Sequence, residues 1–480
     1  MNKKGKYDGY YCTRPFDWFS ALDNGNVVPC CPPWVNGYTF GNLNDNTVEE
    51  VWNSDKAKKF RESILDGSYR YCNEKSCPHM QSKSECVLTL DEIITAQKYQ
   101  VHDDIVKNRT HLSHGPMIIN CDYDRSCNLS CPSCRPKTII ITGEKKKRAL
   151  EMQDMLIKDG FKDATHITCT ASGDAFASPV FRTMLQQLKP VHAPKLQKMT
   201  ILSNGLLIKK YWPTLSDYTK EKVQYISISI DAASADVYKI NRRGGNWDDL
   251  KDNLSFIRDL RKAGDIKGFL TSFVVQENNF HQIKDFFNLC KDYNVDCVQL
   301  QIFEPDFLRD LGCGTYFDEW VEKAVQERTH PKHQQLLEII RDGYFEKYIN
   351  RFNNRYKGSA DYREYNLQDW DTVICMNMGP LYDLRIGKDI SQYEENLREY
   401  NIVEKLNKKK KMAQLGLIKD VWYDGTAHFV QLKFLKKIDG TDVVKLDTND
   451  VLKWSSHLSK WVKCSKNSYE YKKYQEMVEA

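Results

Sequence analysis

Residues 117–134 read MIINCDYDRSCNLSCPSC, an apolar run that leads into three closely spaced cysteines. Cys127, Cys131 and Cys134 follow a Cys-x3-Cys-x2-Cys spacing. Because only 16 of the 480 residues are cysteines, this spacing arises by chance about 0.02 times in such a chain, and the motif is specific. The stretch predicts a buried strand whose carboxyl end carries a metal or redox site.

Short apolar runs alternate with amphipathic segments on the carboxyl side of this motif. Including the first, the predicted strands are Met117–Cys121, Thr165–Cys169, Lys198–Leu202, Val223–Ile230, Gly268–Val275 and Asp296–Phe303. Helical spacing falls between them at Leu150–Lys158, Val180–Leu188, Leu250–Lys262 and Gln282–Tyr293. Six strands alternating with helices predict an α/β fold of parallel βα units, closed as a partial (β/α)6 barrel or open as a curved sheet. Chemistry is then expected at the carboxyl ends of the strands.

Composition and turn signals divide the chain into four predicted regions. They are a cysteine-rich module at 1–90, the α/β core at 114–305, its helical continuation at 306–390 and a C-terminal α+β extension at 391–480. In the last region, Asp424-Gly425 lies between Val421–Tyr423 and His428–Val430, which predicts a hairpin, and Asp439-Gly440 predicts a second one.

Three close thiolates suit an iron–sulfur cubane better than a closed zinc site. They can hold three irons of a [4Fe–4S] cluster and leave the fourth iron without a protein ligand. That iron can chelate the amino and carboxylate groups of S-adenosylmethionine (SAM). A structural zinc site has four protein ligands. Cys121 is a candidate for the fourth, although it lies within the predicted strand.

The segments after the next strands extend this pattern, and together with the three cysteines they resemble the radical SAM superfamily. Ser172-Gly173-Asp174 resembles the Gly-Gly-Glu segment of that family, and Ser203-Asn204-Gly205 resembles its Thr-Asn-Gly turn. Ser229-Ile230-Asp231 is similar to its Ser-x-Asp, and Arg242 matches an arginine that pairs with the SAM carboxylate. The resemblance implies a partial TIM-like barrel that binds a [4Fe–4S] cluster and SAM.

The resemblance also implies roles for individual residues. Ser172, Gly173 and Asp174 would receive the SAM amino group, Asn204 and Ser229 would lie near SAM, and Arg242 would bind its carboxylate. The cysteines Cys127, Cys131 and Cys134 would be the cluster ligands. Two positions depart from the family pattern: Ser133 replaces an aromatic residue before the last cysteine, and Asp174 replaces a glutamate.

The N-terminal region resembles the opening of a SPASM or twitch auxiliary-cluster domain. Cys12-x12-Gly25-x4-Cys30 is followed by Gly41–Leu43, Val51–Ser54, Phe60-Arg61 and Cys72-x4-Cys77. The resemblance implies one auxiliary [4Fe–4S] cluster on Cys12, Cys30, Cys72 and Cys77. In the family this module usually follows the barrel, whereas here it precedes it.

Alternatives to that auxiliary ligand set remain open. Cys31, Cys86 and Cys375 are further candidate ligands, and a four-cysteine zinc site is the competing interpretation. Cys313, between Gly312 and Gly314 after the sixth predicted strand, is a candidate hydrogen-atom donor to a substrate radical, against the simpler interpretation as a loop thiol.

Charge and hydropathy exclude some classes of protein. The net charge is +5 from 70 Lys+Arg against 65 Asp+Glu, so a nucleic-acid partner is not favoured. No apolar stretch reaches membrane-spanning length, and the first residues do not resemble a signal peptide. We therefore expect a cytoplasmic location without a membrane partner.

The leading functional prediction is a radical SAM enzyme. It cleaves SAM to a 5′-deoxyadenosyl radical and abstracts hydrogen from a substrate, with a slight preference for a peptide side chain over a polar small molecule or sugar. The auxiliary cluster would assist oxidation or bind substrate, and a flavodoxin or ferredoxin would supply electrons. The alternative is a zinc-stabilised interaction or nucleic-acid-binding protein without enzymatic activity.

Overall fold

The structure, a computed structural model, describes most of the N-terminal half and parts of the C-terminal half. The described residues are 7–35, 37–74, 77, 79–80, 83, 86–135, 137–170, 172–303, 320–346, 348–349, 375–378, 380–391, 416–423, 428–434, 451–455 and 460–463.

Short strands and helices form the N-terminal region. The strands are β1 (Tyr11–Cys12), β2 (Trp18–Leu22), β3 (Asn26–Val28), β4 (Gly41–Asn42) and β5 (Val87–Leu88). The helices are α1 (Arg14–Asp17), α2 (Val48–Trp52), α3 (Asp55–Leu65), α4 (Leu90–Thr95) and α5 (Tyr99–Val106). Thr47 and Thr89 begin α2 and α4 with capping boxes, in which threonine and the glutamate three residues on satisfy each other's backbone N–H groups.

The α/β core follows. Its strands are β6 (Ile118–Asp122), β7 (His166–Cys169), β8 (Lys198–Ser203), β9 (Val223–Ser229), β10 (Gly268–Val275) and β11 (Cys297–Ile302). Its helices are α6 (Gly143–Lys158), α7 (Pro179–Gln187), α8 (Ile208–Tyr211), α9 (Asp217–Lys222), α10 (Ala235–Asn241), α11 (Trp247–Ala263) and α12 (Ile283–Asp292). All six predicted core strands form, with ends within about one residue of the prediction, because strands buried on both faces are near-continuous apolar runs.

The core strands make one parallel sheet. After α13 (His333–Ile340), strand β12 (Cys375–Asn377) adds to its far edge, and α14 (Pro380–Arg385) follows. The sheet order is β12-β11-β10-β9-β8-β7-β6-β2-β3-β4, and every pair from β6 to β12 is parallel. This confirms the predicted partial barrel of βα units.

The N-terminal strands extend this same sheet, which the sequence did not predict. Strand β2 pairs with β6 in parallel, from Trp18 opposite Ile118 to Leu22 opposite Asp122. Strands β3 and β4 then add as antiparallel neighbours. The N-terminal region is therefore joined to the first core strand. Strand β2 begins with Trp18 at the amino edge of the parallel core strands and ends with Leu22 at their carboxyl edge.

Two buried polar contacts tie the N-terminal region together. Arg61 on α3 is fully buried and donates to the backbone oxygens of Pro15 (2.9 Å), Trp52 (2.8 Å) and Thr110 (2.7 Å). His114, just before β6, lies with Nε2 2.8 Å from Asp104 and Nδ1 2.7 Å from the Gly115 oxygen. The Arg61 contacts join segments that are distant in the chain, and the His114 contact ties α5 to the residues just before β6.

The described part of the C-terminal region is an antiparallel sheet. Its strands are β13 (Gly416–Tyr423), β14 (His428–Phe434), β15 (Val451–Ser455) and β16 (Lys460–Lys463), in that order. Tyr423 pairs with His428, so the predicted hairpin between them is confirmed. The second predicted hairpin, at Asp439-Gly440, lies outside the described residues. Among the described helices, none has the length and apolar character to cross a membrane.

Candidate active site and auxiliary metal centre

The three-cysteine motif forms a loop at the carboxyl end of β6. Asp124 begins the loop by accepting the Ser126 backbone N–H (2.8 Å). Cys127 exchanges backbone hydrogen bonds with Ile139, and the Cys131 oxygen accepts the N–H of Cys134 (2.9 Å), closing a turn. Cys127 and Cys131 are buried and Cys134 is exposed. The loop therefore brings its three thiols to the edge of the sheet where the chemistry was expected.

Each of the three thiols has its own side-chain hydrogen-bond donor. Asn204 Nδ2 lies 3.7 Å from Cys127 Sγ. Arg242 Nη1 lies 3.7 Å from Cys131 Sγ. Arg135 places Nε and Nη2 each 3.4 Å from Cys134 Sγ. Donors and positive charge beside thiolates stabilise the anionic sulfurs that ligate iron.

The loop after β7 packs directly under the cysteine loop. A Cβ on Gly173 would lie 2.6 Å from the Asp124 oxygen and 2.8 Å from the Ser126 oxygen, so a side chain does not fit there. The Ser172 N–H donates to Asp122 (2.7 Å), and the Ser172 oxygen accepts from Arg135. Gly173 is thus required by the close approach of two backbones.

Asp174 is a buried hub that links two loops. One carboxylate oxygen accepts the N–H groups of Phe176 (3.0 Å) and Ala177 (2.7 Å). The other accepts Ser203 Oγ (2.7 Å) and the Asn204 N–H (2.8 Å). The side chain is fully buried. Four protein hydrogen bonds occupy the carboxylate, so Asp174 holds Asn204 in place below Cys127.

Ser229 and Arg242 lie at the ends of β9 and the following helix. Ser229 Oγ accepts from Ser272 Oγ at 3.0 Å. Arg242 forms a 2.7 Å ion pair with Asp231, whose φ of +58° lies in the left-handed region. Burial opposes the charge of Arg242, but the Asp231 carboxylate raises the pKa of the guanidinium overall. The arginine is therefore cationic at Cys131.

The donor set fits an iron–sulfur cluster. Soft thiolates suit iron–sulfur clusters, and a cubane binds each sulfur to a different iron. Burial raises the pKa of Cys131, and the Arg242 charge counteracts part of that rise. Within the described ranges, no group of three or more His, Cys, Asp and Glu side chains is arranged to hold a metal ion.

A second group of thiols lies in the N-terminal region. Cys12, Cys30, Cys72 and Cys77, together with Cys86, act on one another electrostatically. Burial raises the pKa of Cys77 to about 11. Thiols are the ligands that a [4Fe–4S] cluster requires, so the residue types suit an auxiliary cluster, although the described side chains are not arranged as a ready metal site.

Cys30 lies towards the amino edge of the sheet, opposite the three-cysteine loop. It is two residues beyond Val28, which pairs with Ser20 in the antiparallel direction. Cys30 therefore falls near the level of Trp18, whereas Cys127 follows Asp122 at the other edge. Four residues of strand, roughly 13 Å at 3.3 Å per residue, separate those two levels.

The other candidate cysteines lie in different parts of the chain. Cys313 lies outside the described residues. Cys121 lies within β6 and is fully buried, and Cys375 is the first residue of β12. Sequence reasoning missed Arg135, although an arginine directly after the third cysteine was a readable signal. It also left the role of Cys86 undecided, because nothing in the sequence shows that β5, which begins just after Cys86, pairs with β1.

Comparisons with known proteins identify two families. Residues 124–290 match the Radical SAM superfamily, and residues 12–78 match SPASM, an iron-sulfur cluster-binding domain. The two matches follow the order that the sequence predicted. They decide against the alternative of a non-enzymatic zinc protein.

Curated relatives align with part of the chain. A GTP 3′,8-cyclase of Alkaliphilus metalliredigens is 29% identical over 171 residues, which is 35% of this chain and 51% of the relative. A GTP 3′,8-cyclase of Limosilactobacillus fermentum is 24% identical over 205 residues, 42% of this chain and 55% of the relative. The chain thus spans about half the length of the curated relatives it matches.

Solved structures are similar to part of this chain at low identity and low TM-score. One is described as native anSMEcpe with bound AdoMet and Kp18Cys peptide: it is 18% identical, has a TM-score of 0.35 and covers 57% of this chain and 67% of its own. Streptococcus suis SuiB bound to S-adenosylmethionine is 14% identical, has a TM-score of 0.29 and covers 62% and 63%. From the two family matches, residues 124–290 of this chain are a domain of the Radical SAM superfamily, and a SPASM iron-sulfur cluster-binding domain at residues 12–78 precedes it.

Proposed function

We propose that this chain cleaves SAM reductively at a [4Fe–4S] cluster held by Cys127, Cys131 and Cys134. The resulting 5′-deoxyadenosyl radical abstracts a hydrogen atom from a substrate. The observation that carries the proposal is that each thiol has its own side-chain donor, from Asn204, Arg242 and Arg135. Three loop thiols that bound no cluster would not each need a side-chain donor.

The protein's own residues prepare the site. When bound, the cluster and SAM supply the radical chemistry, and the chain supplies placement and electrostatics. Arg242, fixed by Asp231, presents a cation that suits the SAM carboxylate. Backbone groups around Ser172 suit the SAM amino group. Asp174 contributes indirectly, by holding Asn204 in place.

We propose electron transfer as the role of the auxiliary cluster, in preference to binding substrate. Substrate and SAM are expected at the carboxyl edge of the strands. Cys30 lies towards the opposite edge, so iron bound to it would not reach a molecule beside Cys127. A reductant such as flavodoxin or ferredoxin is the proposed source of electrons, and the cytoplasm is the proposed location.

A peptide side chain is the proposed substrate class. The N-terminal SPASM domain supports it, because relatives with this domain often modify peptides. A purine nucleotide is the second candidate. The names of two curated relatives favour it, since both are GTP 3′,8-cyclases.

The deciding experiment measures 5′-deoxyadenosine. The protein is reconstituted anaerobically with iron and sulfide, reduced with dithionite and given SAM, with Cys127→Ala as the control. We expect 5′-deoxyadenosine from the native chain and none from the variant. A native chain that carries the cluster, reduces it and still makes no 5′-deoxyadenosine would contradict the proposal.

Substrate class is tested in the same assay. GTP or a peptide library is added, and the rate of 5′-deoxyadenosine formation and the mass of the added molecule are followed. Acceleration with a mass change in a peptide supports the first class. The same result with GTP, and none with peptides, replaces it with the second.

A further inference from the structure

Arg135, directly after the third cysteine, is a buried arginine whose charge no carboxylate balances. The residue is 5% exposed. Its hydrogen bonds go to the backbone oxygens of Arg125 and Ser172 and to the sulfur of Cys134. Among the described residues, no aspartate or glutamate pairs with it. Because arginine is rarely buried to this extent without an anionic partner, an anion is expected at the sulfur.

The other two donors of the three-cysteine loop bring no net charge to the thiols. Arg242 is paired with the Asp231 carboxylate at 2.7 Å, so the two charges largely cancel beyond the pair. Asn204 donates from a neutral amide. Of the three donors, Arg135 therefore contributes the uncompensated positive charge.

Backbone contacts on two sides hold this guanidinium at the sulfur. Nη1 donates to the Arg125 oxygen at 2.6 Å, and Nη2 donates to the Ser172 oxygen in the loop after β7. Nε and Nη2 each lie 3.4 Å from Cys134 Sγ. A planar fork held at these points keeps its charge in one place. Burial limits the screening of that charge by water.

We infer that Arg135 sets the reduction potential of the cluster at Cys127, Cys131 and Cys134, by fixing an uncompensated cation beside one of its ligand sulfurs. Reduction adds one electron, taken from the external reductant, and so makes the cluster more negative by one charge. A fixed cation stabilises the reduced state more than the oxidised state and raises the midpoint potential. The inference rests on the cluster of the proposed function. Arg135 acts through a ligand and is a positioning residue.

The test is a redox titration of the reconstituted full-length protein. Samples are poised with dithionite and mediators, frozen without SAM, and the reduced cluster is measured by electron paramagnetic resonance. A parallel reduced sample with SAM shows which signal SAM changes, and that signal is followed. In Arg135→Gln, the ratio of reduced to oxidised cluster at a fixed potential is expected to fall at least tenfold, a shift of about 59 mV to lower potential for one electron.

Two further variants separate charge from shape and from position. Arg135→Lys keeps the charge but not the planar fork, so its midpoint should lie closer to the native value than that of Arg135→Gln. Arg243→Gln is the matched control, because it removes an exposed arginine that donates to Ser130 Oγ (3.1 Å) in the same loop. Its midpoint should be native. An unshifted midpoint in Arg135→Gln overturns the inference, and so do equal shifts in the two Arg135 variants or in Arg243→Gln.

Iron and sulfide counts distinguish a change of potential from a loss of the site. All three variants are expected to hold native amounts of iron. Loss of the cluster from both Arg135 variants, with full iron in Arg243→Gln, would make Arg135 a structural requirement of the loop and overturn the inference. Absence of a SAM-sensitive signal from the native chain is a different result: the proposed function then fails, and the inference fails with it.

Discussion

Single residues at the radical site act mainly by holding backbone in place. Gly173 leaves room for the backbone oxygens of Asp124 and Ser126. Both carboxylate oxygens of Asp174 accept hydrogen bonds from other groups of the protein. The family resemblance assigned Asp174 to the SAM amino group. Its four hydrogen bonds give it instead the part of a positioning residue, one that keeps Asn204 beneath Cys127.

Gly173→Ala is expected to damage the cluster site. The new Cβ would lie within 2.8 Å of two backbone oxygens that cannot move independently of the cysteine loop. Such overpacking costs about 2 kcal/mol and displaces the loop. Iron counted in a chain with the auxiliary cysteines replaced should fall by more than half. Gly343→Ala, at a glycine with open space around it, serves as the control and should keep its iron. Retention of full iron in Gly173→Ala would show that the loop tolerates the contact.

Secondary-structure elements are joined in this protein by buried polar groups. Arg61 connects α3 to the segments around Pro15, Trp52 and Thr110 through three backbone oxygens. Burial lowers the pKa of Arg61 to about 9, which shows how little water reaches it. A neutral side chain there leaves the three oxygens without donors.

Arg61→Met is expected to reduce the free energy of unfolding by about 3 kcal/mol, because buried acceptors that lose their donor bear a desolvation penalty. Urea denaturation monitored by circular dichroism measures the change. Arg258→Met, at a partly exposed arginine paired with the exposed Asp259, should change stability by less than about 0.5 kcal/mol. Equal effects of the two substitutions would show that the buried contacts contribute nothing of their own.

His114 gives the same region a pH-dependent contact. Both ring nitrogens face acceptors, Asp104 and the Gly115 oxygen, which suits the protonated ring. Burial opposes this charge, but the hydrogen bond to Asp104 raises the pKa of His114 overall, and Arg109 and His114 together lower that of Asp104 despite its burial.

The sign of the pH effect follows from the raised pKa of His114. The folded state binds the proton more tightly than the unfolded state, so the stabilisation is present below about pH 6.5 and is lost as pH rises through the folded pKa. The free energy of unfolding should therefore fall as pH rises above about 6.5, and His114→Gln should flatten this slope. An identical slope in His114→Gln would assign the pH dependence to other groups.

At the scale of the whole molecule, one continuous sheet leads Cys30 and Cys127 towards opposite edges. Cys127 follows the carboxyl end of β6, and Cys30 lies near the amino end of β2, its parallel neighbour. The sheet thus gives the two clusters different surroundings.

We expect SAM to change the electron paramagnetic resonance spectrum of the radical-site cluster and to leave that of the auxiliary cluster unchanged. Two variants supply the comparison, one without Cys127, Cys131 and Cys134 and one without Cys12 and Cys30. Each is reduced and measured with and without SAM. An auxiliary spectrum that responds to SAM in the first variant would place the clusters in one site.

The sequence predicted the parts of the fold that local patterns encode. Apolar runs predicted strands β6 to β11, and the cysteine spacing predicted the loop that begins near Cys127. The pairing of β2 with β6 could not be predicted, because its partners lie far apart in the chain and WFSAL is a short apolar run like many others. Cys86 was left open for the same reason, whereas Arg135, directly after the third cysteine, could have been found from the sequence.

The pairing of β2 with β6 also has a consequence for biosynthesis. Asn120 donates to Ser20 across 100 residues of sequence. At about 5 to 20 residues per second, a ribosome needs on the order of 5 to 20 s to produce the partner strand after β2 has emerged. During that time β2 has an open edge, which other chains can pair with. Newly made protein is therefore most exposed to aggregation before residue 118 leaves the ribosome, and slower translation through residues 23–117 lengthens that period.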